Sequence, residues 1–473
     1  MKIKKAELFA TIPAVDESKA DALLNAALAD FHKKIVVLDD DPTGVQTVNG
    51  ISVYTEWTEE SIAAGFAEKN SMFYILTNSR SFTAAHTKDA HETMARRIAA
   101  EAKKSGKDFL VVSRSDSTLR GFYPLETETL RQTLEGCSEK RLDGEVLMPF
   151  FKEGGRFTIG NIHYVQEEDY LVPAGETEFA KDKTFGYSAS HMGEYIEEKT
   201  KGRFKAADVT YISLTDLRAL NVDKITEQLL KVQDFNKVII NAVDYADVKV
   251  FATALIRAMK QGKNFMFRTA AAFTKVMGNV QDKPLLQKEE LLIPGNTNGG
   301  LIIIGSHVKK TTDQLNELKK SSGVKFIEFN HLLILEPDKL ECEISRIIAE
   351  VETSISQGQT VAVYTGRMRL DVGSEEESLL VSVKISDALT SIVSRLSIQP
   401  GFLIAKGGIT SSDVGTKGLS VKKALVLGQV EPGIPVWKTG LESKFPNMSY
   451  IIFPGNVGAV TTLRKVVDML NRA

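Results

Sequence analysis

Short apolar runs recur along the chain, each followed by small polar residues and then by a segment with helical period. They fall at 35–38, 73–76, 109–112, 146–148, 238–240, 301–304, 361–364, 402–405 and 450–453. Continuous rather than alternating apolarity over about four residues marks strands buried on both faces, as in parallel sheets. The pattern predicts an α/β fold throughout. A stretch at 18–31, apolar at Ala20, Leu23, Leu24, Ala27 and Leu28, predicts an opening helix. Two segments break the rhythm. Residues 156–165 carry Gly160-Asn161 between strand-like flanks, which predicts a hairpin or flap inserted into the first domain. Residues 280–300 hold Lys283-Pro284, Pro294-Gly295 and Gly299-Gly300 without helical period, and the domain boundary is placed there.

Length agrees with two domains, since 473 residues exceed what one core usually spans. The 59 Lys and Arg nearly balance 61 Asp and Glu, so there is no global attraction for nucleic acid or an anionic membrane, and an anionic substrate needs a local site. Two distant cysteines, Cys137 and Cys342, exclude a disulfide framework and a multi-cysteine zinc site; a reducing cytoplasm fits. The N-terminus is charged rather than apolar and no run approaches the roughly 20 residues of a membrane span, so neither secretion nor membrane insertion is expected.

In open parallel sheets ligands bind beyond the carboxyl ends of strands, so the residues after each run matter most. The first run leads into Asp39-Asp-Asp-Pro-Thr-Gly44. Adjacent carboxylates repel and are costly to bury, which leaves either a solvated turn capped by Asp41 or Thr43, or a general base and hydroxyl anchor. The second run ends in Thr77-Asn-Ser-Arg-Ser81 and the third in Ser113-Arg-Ser-Asp-Ser-Thr-Leu-Arg-Gly121. Ser79, Arg80, Arg114, Asp116 and Arg120, with Arg156 after Gly154-Gly155, supply donors for a carboxylate or a hydroxylated chain, although a buried structural network uses the same residue types.

The second half offers Gly305-Ser306, Thr365-Gly366, Gly407-Gly-Ile-Thr-Ser411 and Gly455 to Gly458 after successive runs. Such loops either make tight turns or cradle phosphates, and four of them at one sheet edge indicate a nucleotide. His91, His163 and His307 read as structural. The P-loop, Gly-x-Gly-x-x-Gly, His-Glu-x-x-His and Gly-x-Ser-x-Gly signatures are absent.

These blocks resemble the four-carbon acid sugar kinase family. Asp40-Asp-Pro-Thr-Gly44 and Asp116-Ser-Thr-Leu-Arg-Gly121 are similar to its signatures, as are Gly155-Arg156 with Thr158, Glu176 to Ala180, Gly305 to Thr312 and Gly407 to Ser411. The last loop departs, reading Pro454-Gly-Asn-Val-Gly-Ala459 without the family's lysine. The resemblance implies two domains, each a mostly parallel sheet with flanking helices: residues 1–285 for the sugar acid, 286–473 for the nucleotide, and an active site in the interdomain cleft. It implies ATP-dependent phosphorylation of the terminal hydroxyl of a threonate, erythronate or 3-oxo-tetronate. Magnesium is carried mainly by the phosphates and there is no dedicated metal site. Expected roles are catalytic for Asp40, Asp41, Asp116 and Arg120, and substrate-binding for Ser79, Arg80, Arg114 and Arg156. Ser306, Thr365, Gly366, Gly407, Gly408, Ile409, Thr410, Ser411, Gly455 and Gly458 are expected at the nucleotide. Partners are the sugar acid and ATP alone, with a homodimer left open. The rival readings are an NAD-dependent oxidoreductase of a small hydroxy acid, which lacks its fingerprint here, and a non-catalytic sugar-acid sensor.

Overall fold

The structure, a computed structural model, describes residues 2–367 and 375–471. The chain forms two compact units. The first comprises Met1–Gly44 and Glu56–Gln281, the second Val45–Thr55 and Asp282–Ala473.

In the first unit lie β1 (Ile3–Lys4), β2 (Lys34–Asp39), then, past β3 (Ser52–Tyr54) of the second unit, β4 (Met72–Leu76), β5 (Phe109–Arg114), β6 (Gly144–Met148), β7 (Arg156–Ile159), β8 (Ile162–Glu167), β9 (Tyr170–Pro173), β10 (Thr210–Ile212), β11 (Asn236–Ile240) and β12 (Phe265–Thr269). The main sheet runs β10-β11-β6-β12-β5-β2-β4, parallel throughout. Every residue of β2, β4 and β6 is buried, which is why these strands read as unbroken apolar runs. Helices Ala84–Ser105, Leu125–Cys137 and Tyr245–Lys260 flank it. Thr83 caps the first of these by accepting from His86 N–H at 3.2 Å. The Gly160-Asn161 turn joins β7 to β8 in an antiparallel hairpin, extended by β9 and β1 into a small second sheet.

The second unit adds β13 (Leu301–Ile304), β14 (Val324–Phe329), β15 (Thr360–Thr365), β16 (Leu403–Lys406), β17 (Lys423–Glu431), β18 (Ile434–Thr439) and β19 (Ser449–Phe453). Parallel strands β14-β15-β13-β16-β19 continue through antiparallel β18 and β17 to β3. Ile302, Ile304, Ile404, Ile451 and Phe453 form its core with the final helix Thr462–Asn471. A single cut near residue 285 does not reproduce this division, because β3 pairs Tyr54 with Lys423 and Ser52 with Leu425. Among the described residues no helix is long and apolar enough to cross a membrane, and both cysteines are free and exposed.

Candidate active site

Parallel register sets the first unit's site. Asp39, the last residue of β2, stands level with Arg114 of β5 and Leu76 of β4, and Arg114 stands level with Thr269 of β12. The segments leaving these strands meet at one edge, as the rule for parallel sheets requires. Arg114 Nη1 donates to Asp39 Oδ1 at 3.2 Å and lies 3.5 Å from Asp40 Oδ1. Arg80, on the turn after β4, places Nε 3.3 Å from Asp40 Oδ2, Nη2 2.5 Å from Asp41 Oδ2 and Nη1 3.9 Å from Asp116 Oδ2. Asp116 Oδ2 also accepts from Arg120 Nε at 2.7 Å and from the Thr118 hydroxyl, while its own N–H donates to Asp40 Oδ2 at 3.2 Å. A Cβ on Gly44 would fall 1.9 Å from Asp39 Oδ2, so the turn closes over that carboxylate only as glycine.

Burial pushes Asp39 up to about 7, against the pull of Arg114, and Asp40 up to about 6, against Arg80 and Arg114. Burial opposes ionisation of Asp116 too, but Arg120, Arg80 and the Thr118 hydroxyl outweigh it and hold Asp116 well below the usual carboxylate range. Neighbouring carboxylates of one cluster thus differ in proton affinity, the condition under which one acts as base and another as fixed anion. Asp40 Oδ1 is buried with no hydrogen-bond donor among the described residues.

Arg156 is the exception among the arginines. It is buried at the start of β7, its Nε lacks an acceptor, and no described carboxylate pairs with it. It shares the Phe179 ring with Arg120, their guanidinium carbons lying 5.9 and 5.0 Å from its centroid. Burial and Arg120 both push Arg156 downward, with Asp116 opposing. Ser79 turns its hydroxyl to Glu126 at 2.6 Å, and Arg268 meets the other oxygen of Glu126 at 2.6 Å. His91, buried, lies 3.9 Å from the same carboxylate. His163 is enclosed between Thr158 Oγ1 at 3.0 Å and the Ser117 carbonyl at 2.8 Å, and burial takes it down to about 4.

In the second unit β15, β13, β16 and β19 are neighbours, with Tyr364, Ile304, Lys406 and Phe453 in register. Their loops, at Thr365-Gly366, Gly305-Ser306, Gly407-Gly408 and Pro454-Gly455, therefore open along one edge. They pack closely. Gly407 has φ +121°, and a Cβ on it would lie 2.9 Å from Ser306 Cβ; one on Gly455 would lie 3.4 Å from Ser306 Oγ. Ser411 donates through its hydroxyl to Ala405 O at 2.8 Å, and its N–H donates to Gly407 O at 2.8 Å. A Cβ on Gly305 would strike the Thr410 hydroxyl at 2.4 Å. Arg367 donates to Ser306 O at 2.7 Å and lies 3.3 Å from Thr365 Oγ1. The Ile409 side chain is exposed, and Gly458, with φ +82°, opens the turn into the last helix. Among the described residues no three His, Cys, Asp or Glu side chains are grouped as metal ligands.

The profile of a sugar-binding N-terminal domain matches residues 35–277, more than half of the chain, and that of a nucleotide-binding C-terminal domain matches residues 301–463. The chain belongs to the four-carbon acid sugar kinase family. A D-erythronate kinase of Heliobacterium modesticaldum is 23% identical over 414 residues, covering 84% of this chain and 87% of the relative. Two solved structures share the fold. A protein of Salmonella typhimurium LT2, provisionally described as a tRNA synthase, has TM-score 0.64 and 14% identity over 93% of this chain and 99% of its own. A Haemophilus influenzae protein of the DUF1537 family has TM-score 0.58 and 16% identity over 92% and 100%.

Within this family member the sugar-binding half brings Asp39, Asp40, Asp41, Arg80, Arg114, Asp116 and Arg120 into one ion-paired web. Ser79 stands beneath it on Glu126, and Arg156 stands beside it. Glu126, Arg268, Lys406 and Arg367 were missed from sequence. Arg268 directly follows the three-residue apolar run at 265–267 in β12. Lys406 ends the run at 402–405, where its position was a usable signal.

Proposed function

We propose that the protein is an ATP-dependent kinase that phosphorylates the terminal hydroxyl of a four-carbon sugar acid of the threonate, erythronate or 3-oxo-tetronate type. The observation that carries this reading is a mismatch within the charge web: a buried guanidinium with no described carboxylate paired to it, Arg156, and a buried carboxylate oxygen, Asp40 Oδ1, that accepts no hydrogen bond from the described residues although Arg114 Nη1 approaches to 3.5 Å. A sugar acid brings the complement of both, a carboxylate for the first and a hydroxyl for the second. The name of the Heliobacterium relative supports the same substrate class.

Phosphoryl transfer asks for positioning and charge neutralisation more than for covalent help from the protein. Arg156 anchors the substrate carboxylate. Asp116, held ionised, accepts hydrogen bonds from substrate hydroxyls, and Asp41 shares that task. Asp40 accepts the proton of the terminal hydroxyl as its oxygen bonds to the γ-phosphorus and the bond from γ-phosphorus to the bridging oxygen breaks, releasing ADP. A carboxylate raised to about 6 is better matched to this than an ordinary one. Arg120, partly exposed, faces the transferred group. In the second unit the hydroxyls and amides of Ser306, Thr365, Gly366, Gly407, Gly408, Thr410, Ser411 and Gly455 are assigned to the nucleotide, with Ile409 and Gly458 at its margin. Magnesium, held mainly by the phosphates, supplies further charge neutralisation.

The test is a coupled ADP-release screen over all four-carbon sugar acids with ATP and magnesium. Turnover is expected for at least one of them. Silence across the whole panel from folded protein would refute the assignment.

A further inference from the structure

Lys406 has unusual surroundings. It ends β16 level with Ile304 and Phe453, at the centre of the edge from which four glycine and hydroxyl loops leave. Its side chain has no solvent exposure, whereas lysines are almost never fully buried unless paired. No described carboxylate pairs with it. Its Nζ donates to the Pro454 carbonyl and lies 4.2 Å from the Phe453 ring centroid. The helix Lys309–Leu318, packed over the same loop, contributes one charged group toward it, Lys310, whose Nζ reaches Asn456 O at 3.4 Å. Lys310 is thus a like charge beside it, and no described carboxylate is paired with Lys406 to balance the two.

The hydrogen bond to Pro454 has a geometric consequence. In a trans peptide the C=O and the following N–H point in opposite directions. Pulling the Pro454 oxygen onto Lys406 therefore turns the Gly455 N–H away from Lys406, and that N–H donates to no group among the described residues. Gly455 itself lies against Ser306 Oγ. A positive charge behind an outward-facing amide, beside a hydroxyl, is an arrangement suited to an oxyanion.

We propose that Lys406 is a positioning residue for the nucleotide phosphates: it fixes the Pro454–Gly455 peptide so that the Gly455 N–H faces them, and it balances their charge from within. This rests on the nucleotide reading of the second unit. Burial, with Lys310 adding to it, takes free Lys406 down to about 6, so near neutral pH the amine is mostly uncharged. A polyanion arriving at this edge favours the ammonium form, and the proton is taken from solvent.

The experiment is calorimetry of ATP with magnesium binding to the full chain at pH 7.5, in buffers of different ionisation enthalpy, comparing the parent with Lys406→Met and Lys406→Arg. Methionine keeps the volume and removes the charge. Against the parent, Lys406→Met is expected to weaken binding by about tenfold or more and to abolish uptake of close to one proton per nucleotide. Arginine, charged throughout, is expected to keep much of the affinity without the uptake. The ligand-free melting temperature separates positioning from scaffolding, because replacing an unpaired buried lysine by an apolar side chain is expected to leave stability equal or higher. Unchanged affinity and proton uptake in a folded Lys406→Met protein would overturn the proposal while leaving the nucleotide reading intact. A Lys406→Met protein that melts well below the parent overturns it in favour of a structural lysine. A parent chain that binds no nucleotide refutes the nucleotide reading and this proposal with it.

Discussion

Asp40 and Asp116 differ little in burial and greatly in their neighbours, and that difference underlies the separate roles proposed for them. Asp116 has Arg120 at 2.7 Å and a hydroxyl on the same oxygen, so it stays an anion; Asp40 Oδ1 accepts no hydrogen bond from the described residues, with Arg114 Nη1 3.5 Å away. Asp40→Asn preserves shape and removes the proposed base, so kcat is expected to fall by about 10² to 10⁴ with ATP affinity unchanged. Single-turnover kinetics beside ATP calorimetry decide it, and a parental rate in the folded variant would shift the base to Asp41. The acid limb of kcat/KM should lie near pH 6 to 7, the range to which burial raises Asp40 and Asp39, rather than near 4. Arg80 favours the charged form of Asp40, so Arg80→Gln raises its proton affinity and moves that limb toward alkaline pH; a limb that stays put or moves to acid separates Arg80 from the base. Arg156→Met removes the proposed partner of the substrate carboxylate, and the expected loss of about 2 to 5 kcal/mol appears as a rise of roughly 30-fold or more in the sugar-acid KM, with the ATP KM constant. A constant sugar-acid KM would remove Arg156 from the site. The cluster at 39–41 was legible because carboxylates directly after an apolar run are conspicuous. That Asp39 and Arg114 would pair inward and Arg156 remain unpaired was not, since burial and partner choice depend on strand order, which local pattern does not encode.

At the scale of elements, the loops are as constrained as the strands. Gly407 sits at φ +121°, ψ 146°, backbone that is almost confined to glycine and costs other residues about 1 to 3 kcal/mol. Its missing side chain also leaves room for Ser306 at 2.9 Å. Gly407→Ala is therefore expected to raise the ATP KM by an order of magnitude or more while sugar-acid binding, followed by calorimetry without nucleotide, is unaltered. Equal ATP KM values would show that this loop does not meet the nucleotide. Nine strands were visible as apolar runs because both of their faces are buried. Three of the strands that escaped have other patterns. β12 has a run of three apolar residues before Arg268, and β14 has an exposed glutamate, Glu328, between buried Ile327 and Phe329. β17 alternates exposed and buried residues from Lys423 to Val426, the period of an antiparallel strand with one solvated face. A search tuned to continuous apolarity passes over all three. His91 is an element-level case too: its helix was expected, but that the helix turns it inward toward Glu126 follows only from packing.

At the scale of the whole molecule, the division of the chain is not a cut. Residues Val45–Thr55 leave the first unit, lend β3 to the second and return. β17 bonds to this excursion through Val426 N–H to Ile51 O at 2.9 Å, Gly50 N–H to Val426 O at 2.8 Å and Thr55 N–H to Lys422 O at 3.0 Å, while Gln46 Nε2 donates to Gly433 O at 3.1 Å. No local signal shows that a short strand will cross between units, so the turn-rich passage at 280–300 stood alone as the boundary. A fragment beginning at Asp282 has the glycine and hydroxyl loops of the second unit but lacks β3, and its β17 becomes an open edge, the usual template for unwanted strand pairing. Thr55 Oγ1 donates to Val421 O as well, and β3 adds its ladder bonds; even the four hydrogen bonds named, at about 1 kcal/mol each in a unit for which 1 kcal/mol shifts melting by about 2 to 4 °C, amount to a shift on the order of 10 °C. Residues 282–473 fused to 45–55 through a flexible linker should therefore melt about that much higher than 282–473 alone. The fused fragment should also stay monomeric at concentrations where the shorter one associates. Equal melting temperatures and equal solubility would mean that β3 is bound by the second unit without contributing to its stability, and that the nucleotide-binding half ends where the sequence pattern alone placed it.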